Sequence, residues 1–213
     1  MARWELAHLS EIEAIPVPES LQWTPVRKHF GIQAFGVNAY TAAEVGHEVV
    51  ERHTEEIRGH EELYVVIAGH ASFTVGGEEA DAPMGTAIFI RDPSIERYAV
   101  AAEPGTTVLA MGGKPGVAYT PGPWEWVFVA RMLGEKGDFD GAIAELEEGL
   151  GVHPGHAALL YWLARTEAGA GRVDDALAHL AEAVAKREEL AMRAREDDAF
   201  ASIRDERRFP AAS

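Results

Sequence analysis

Glu62-Leu63-Tyr64-Val65-Val66-Ile67-Ala68-Gly69 is the stretch on which the fold of this 213-residue chain turns. After one carboxylate it runs through aliphatic and aromatic residues that suit a pleated, half-buried surface, and it stops at a glycine. Alternation along such a strand places His60, Glu62, Tyr64 and Val66 on one face and Glu61, Leu63, Val65 and Ile67 on the other. If Glu62 points inward, the imidazole of His60 and the phenol of Tyr64 share that face with it. Working outward, similar short runs predict strands over 26–30, 32–41, 47–53, 61–68, 70–75, 87–90, 96–101 and 106–111. Gly76-Gly77 between two of these runs is a hairpin signal, because a two-residue turn needs the positive φ that glycine supplies.

Upstream of the decisive stretch stand His53, Glu55 and His60. Downstream, Pro83-Met84-Gly85 opens the apolar run Thr86-Ala87-Ile88-Phe89-Ile90, which leads through a proline-containing turn to Glu96. Together, 46–69 and 83–96 resemble the two motifs of the cupin superfamily. Their usual form is a Gly, a His-x-His pair and a Glu in the first motif, and Pro-x-Gly followed by a His in the second. The resemblance implies a double-stranded β-helix barrel whose mouth carries three imidazoles and a carboxylate around a metal. Here His53 stands at the first imidazole position and Glu55 at the second. The Glu55-to-Glu62 spacer holds six residues where the family has three or four, and Glu96 occupies the place of the last imidazole.

By the same alternation His53 and Glu55 share a face, as do Glu96, Tyr98 and Val100. The expected ligand-binding set is therefore His53, Glu55, His60, Glu62, Tyr64, Glu96 and Tyr98, converging in an apolar wall, which is the usual form of a small-molecule pocket. His60 reaching in from the longer loop would make His53, His60 and Glu62 the metal set. Imidazole and carboxylate together accept Mn, Fe, Ni or Zn. With an imidazole replaced by Glu96, the expectation is either no cofactor or a weakly bound divalent metal. His47 and His70 are expected to stay outside the cluster, and the acidic run over 48–62 has a plainer reading as a solvated face.

The formal net charge of −16 argues against nucleic acid or an anionic membrane as partner, since both would repel the chain. Of the 19 basic residues 8 precede Pro123, and of the 35 acidic residues 17 do, so neither half is a hidden basic module. The chain has no cysteine, which excludes disulfides and thiolate chemistry. Met1-Ala2-Arg3-Trp4-Glu5-Leu6 lacks the pattern of a signal peptide, and no run approaches the roughly 18 apolar residues of a membrane span, so the expected location is the cytoplasm.

After Pro123 the apolar period becomes helical and repeats. Trp126, Val129, Ala130, Gly137, Ala142 and Leu146 recur 34 residues later as Leu160, Leu163, Ala164, Gly171, Ala176 and Leu180. This spacing resembles the tetratricopeptide repeat, a helix-turn-helix unit in which small residues let paired helices approach. A capping helix over 197–209 would cover the last repeat. Trp126, at a repeat core position, reads as packing and not as part of a binding cage.

The expected architecture is α+β: a 1–19 extension, an all-β cupin-like barrel over 20–116, a Pro/Gly linker over 117–122, and an all-α tetratricopeptide-like domain over 123–213. The leading function is a small-molecule-binding, regulatory cupin protein whose helices serve packing within the chain or between the copies of a homodimer. The alternatives are a metal-dependent cupin oxygenase or isomerase using His53, His60 and Glu62, and a scaffold whose helices recruit a protein partner.

Overall fold

The structure, a computed structural model, describes residues 7–17 and 21–211. The leader-free segment expected at Met1 to Leu6 lies outside the described residues. Two compact units divide the chain, 1–120 and 121–213.

Among its described residues the first unit contains ten strands, a 3-10 turn at Leu9–Glu11 and one short α-helix. In order the strands and the α-helix are β1 (Ile15–Val17), β2 (Leu21–Thr24), α1 (Val26–Phe30), β3 (Gly36–Ala42), β4 (Glu48–His53) and β5 (Glu61–Ala68). There follow β6 (His70–Val75), β7 (Glu78–Pro83), β8 (Ala87–Ile90), β9 (Arg97–Ala101) and β10 (Thr106–Gly113). Every pairing is antiparallel, and the strands form a six-stranded sheet in the order β1-β2-β3-β10-β5-β8 and a four-stranded sheet in the order β4-β9-β6-β7. Trp23, Tyr64, Val66, Phe73, Ala99 and Val108 are buried in the core of this unit. Between β6 and β7, Val75 pairs with Glu78, and both intervening glycines have positive φ (Gly76 60°, Gly77 86°), as a type I′ turn demands.

Three expectations need correction. Residues 26–30 form a helix and not a strand. Pro25 precedes it, Gly31 closes it with φ 63°, and Arg27, Lys28 and His29 occupy its last turn, where the helix dipole favours positive charge. The apolar ends of that run, Val26 and Phe30, are four apart and therefore share one helical face, which packs with Ile12, Val37 and Ala39. The strand expected from Ile32 starts only at Gly36. Part of the stretch expected as an extension, Ile15–Val17, is instead an edge strand pairing with β2.

The second unit is helical: α2 (Trp124–Glu135), α3 (Phe139–Val152), α4 (Ala157–Gly169), α5 (Val173–Lys186) and α6 (Leu190–Glu196). The loops joining α2 to α3 and α4 to α5 are equivalent in the repeat. Gly137 (φ 81°) and Gly171 (φ 75°) stand at the same place in each, 34 residues apart. The repeat positions are buried in both copies, Trp126, Ala130, Ala142 and Leu146 in one cluster and Leu160, Ala164, Ala176 and Leu180 in the next. Trp126 does pack: its ring lies against Gly149, where an added Cβ would sit 2.9 Å from the indole. The continuous capping helix over 197–209 is not formed. Helix α6 ends at Glu196, and Asp197 starts a short 3-10 turn, Asp198–Phe200, by accepting a hydrogen bond from the Ala199 N–H. Phe200, Ile203 and Phe209 still complete the core of the second repeat.

Candidate functional site

Two loops of the first unit are tied to each other and carry the candidate site. The turn after β4 is closed by the Glu55 carbonyl, which accepts from the N–H groups of Arg58 and Gly59, and Gly59 has φ 68°. The Glu55 N–H donates to the Pro93 carbonyl at 2.9 Å, fastening this turn to the loop between β8 and β9. That second loop is shaped by Asp92, whose carboxylate accepts from both the N–H and the hydroxyl of Ser94. It then delivers Arg97 as the cross-strand partner of His53.

The side chains of His53, Glu55, His60, Glu62 and Tyr64 meet here. One oxygen of Glu62, Oε2, is the centre. Tyr64 donates its phenol proton to it at 2.5 Å, and the Arg97 guanidinium reaches it through Nε at 3.1 Å and Nη2 at 3.0 Å. His53 Nε2 lies 3.5 Å from the same oxygen and 3.9 Å from Glu55 Oε1. The other His53 nitrogen, Nδ1, donates to the Glu51 carbonyl at 2.6 Å, which fixes the ring and points Nε2 into the mouth. His60 Nδ1 is 3.3 Å from Glu55 Oε2, and its ring lies 5.8 Å from that of Tyr119. Space for Glu62 comes from its neighbour across the sheet, Gly112, since a Cβ there would stand 3.0 Å from Glu62 Cγ.

The groups polarise one another. Burial works against charge on Glu62, but the hydrogen bonds from His53 and Tyr64 and the charges of His53 and Arg97 outweigh it and hold the carboxyl below its usual range. Burial likewise opposes the His53 imidazolium, yet the bonds to Glu62 and to the Glu51 carbonyl carry its pKa above the ordinary value. His60 goes the other way, because burial lowers it and Glu55 only partly compensates. The Tyr64 phenol is pushed far up, first by burial and then by the Glu62 charge and hydrogen bond. The cluster can therefore hold a carboxylate ionised, keep a phenol protonated, and present an imidazole Nε2 to hydroxyl or carbonyl groups.

Glu96 and Tyr98 do not join this cluster. Alternation does put them on one face of the strand, but it is the outer one: Arg97, Ala99 and Ala101 are buried, while Glu96 pairs with Arg52 at 2.5 Å and the Arg52 guanidinium stacks 3.6 Å over the Tyr98 ring. The register with β6 explains the parity, because Ala99 pairs with the buried Phe73. His47, near Glu44, and His70, bound to Asp81, also lie elsewhere. The residue that sequence reasoning missed is Arg97, whose neighbour Glu96 was aligned with the imidazole of the resemblance. The alternation of small Ala99 and Ala101 with bulky Tyr98 and Val100 carried the only hint.

Donor atoms of His53, Glu55 and Glu62 lie within 4.8 Å of one another, so the His/Glu group nearest to a metal site differs from the expected one by having Glu55 in place of His60. These residues do not fit a resident divalent ion. Glu62 Oε2, the oxygen 3.5 Å from His53 Nε2, already accepts from Tyr64 and from Arg97 Nε and lies 3.0 Å from Arg97 Nη2, so the fully buried guanidinium is a fixed positive charge where a cation would add more.

Residues 135–195 match the family described as Tetratricopeptide repeat. Among solved structures, KdgF from Halomonas sp. is similar at 18% identity and a TM-score of 0.39, over 48% of this chain and 86% of that one. A cupin protein from Bacteroides fragilis is similar at 17% and 0.41, over 57% and 93%. A sugar phosphate isomerase from a cupin superfamily from Silicibacter pomeroyi is similar at 16% and 0.44, over 56% and 83%. No curated protein matches the chain. Among the described residues, no helix is long and apolar enough to cross a membrane. By its two antiparallel sheets and its repeated helix pairs, the chain is an antiparallel β-sandwich followed by tetratricopeptide-like helices.

Proposed function

We propose that the sandwich binds a small polar molecule at the mouth formed by His53, Glu55 and His60, without a metal ion. The observation that carries this reading is the division of labour in the cluster. Glu62, Tyr64 and Arg97 engage one another at 2.5 to 3.1 Å, whereas His53 Nε2 has only longer contacts, at 3.5 to 3.9 Å, and its side chain is 31% exposed. An imidazole that is oriented from behind and open in front suits a hydroxyl or carbonyl group of a ligand.

The test is a thermal-shift and calorimetric screen of chelator-treated protein against small hydroxylated and carbonyl compounds. A ligand should raise the unfolding midpoint, and His53→Ala should abolish the shift while leaving the fold intact. Binding that appears only after a divalent ion is added would replace this reading with the metal-dependent enzyme.

For assembly we propose a homodimer. Supporting it, Phe89 on the edge strand β8 and the nearby Met84 are 49% and 67% exposed, an unusual place for large apolar side chains. Phe89→Glu should halve the mass seen by sedimentation; a wild-type monomer would remove the proposal.

A further inference from the structure

We propose that the guanidinium of Arg97 replaces the metal cation at the sandwich mouth, so that the site is held together by a cation built into the chain. The inference rests on the metal-free reading above, but it is tested with ions alone.

Glu62 is ionised yet its side chain is only 14% exposed, and a carboxylate so placed needs a positive partner close by. Arg97 is that partner. It projects from β9 beside His53 and is fully buried. It uses both sides of its planar fork: Nε and Nη2 face Glu62, while Nη1 donates to the carbonyls of Pro93 and Ile95 at 3.3 and 2.8 Å. A guanidinium fastened to its own loop in this way cannot swing aside to admit an ion. Yet the donors around it keep the arrangement of a coordination group, with His53, Glu55 and Glu62 atoms all within 4.8 Å. His53 also retains the feature expected of an imidazole ligand, an Nδ1 engaged by a backbone carbonyl and an Nε2 aimed at the carboxylates. Arginine thus supplies the charge, and the carboxylates and imidazole arrange themselves around it.

The experiment uses the full chain with Arg97→Met, which keeps an unbranched apolar stem and removes the charge, and titrates chelator-treated protein with MnCl2 and with ZnCl2. Wild type should keep its unfolding midpoint after chelation and show no saturable binding of one ion per chain. Arg97→Met should unfold at lower temperature, recover at least half of that loss with micromolar ion, and bind one equivalent about tenfold tighter than wild type or better. Glu62→Gln in the Met background should abolish the recovery. Arg97→Lys, which keeps the charge, should remain as refractory to ions as wild type, and it serves if the Met variant does not fold. One ion held tightly by wild type would overturn the proposal, as would a folded Arg97→Met variant that gains no ion affinity or an Arg97→Lys variant that binds as well as Arg97→Met should. A screen that finds no small-molecule ligand would remove the functional reading and leave these ion measurements standing.

Discussion

In the helical unit Asp197 is satisfied on every side. Its carboxylate accepts from the Tyr161 hydroxyl, Arg165 Nε and the Ala199 N–H, and its carbonyl from Arg204 Nη2. In the sandwich, Glu62 is equally well bonded at Oε2, but the groups around it, His53, Glu55 and His60, meet at 3.3 to 3.9 Å and leave an imidazole partly open. The difference separates two uses of buried charge. Around Asp197 every bond ties one helix or turn to another, so the network ends the repeat array. Around Glu62 the bonds fix a charge and a ring orientation and stop short of closing the cluster, which is what a binding site needs and a structural cap does not.

The largest expected effect tests the buried pair. Arg97→Met strands the Glu62 carboxylate and should destabilise the sandwich by about 3–5 kcal/mol, whereas adding Glu62→Leu should return much of that loss. Urea unfolding of both variants measures it, and equal losses would mean that the two side chains act independently. Next comes the cap. Asp197→Ala removes the acceptor of three hydrogen bonds and should cost about 1–3 kcal/mol in the helical unit while leaving ligand binding by the sandwich unchanged. A binding defect in this variant would erase the distinction drawn between the two networks.

Titration sharpens the comparison further. The folded pKa of Glu62 is depressed from 4.5, so its stabilising contribution is present above that value and is lost as pH falls through the folded one. The folded pKa of His53 is raised from 6.5, so its contribution is complete below 6.5 and is lost as pH rises through the folded value. His60 has a lowered pKa, and its contribution is present above 6.5 and lost as pH falls through the folded value. Imidazole NMR should therefore show His53 titrating above His60, and Glu62→Gln should bring His53 down. Two histidines titrating together would show that they share one environment. The smallest effect belongs to the outer face, where Glu96→Ala breaks an exposed pair and should leave both the unfolding midpoint and ligand affinity unchanged.

How much was legible differs from strand to strand. On β5 the resemblance of Glu62 and Gly69 to the family motif set Glu62 inward, and alternation then placed His60 and Tyr64 with it. On β9 both faces read as mildly apolar, Ala-Ala against Tyr-Val, and an arginine looks like a surface residue unless its buried partner is known. Tyr98 lies outside because the register with β6 turns Ala99 inward, and there Arg52 covers its ring, a contact between strands that no local pattern announces. The helical core was legible from the 34-residue period because equivalent positions are buried alike in two successive clusters. The expected helix over 197–209 failed at Asp197, where a side-chain cap outcompeted the apolar spacing of Phe200, Ile203 and Phe209.

The sequence by itself determined the two-part architecture, the repeat core and the shared face of Glu62 and Tyr64, since these follow from side-chain periods of 2 and 3.6 along single segments. Only the tertiary structure decided that Arg97 and not Glu96 enters the mouth, and that Glu55 and not His60 stands nearest to His53 and Glu62. Both depend on the register between strands and on the tie between two loops. A shift of one residue exchanges every inward and outward side chain, and nothing within β9 alone favours one choice over the other.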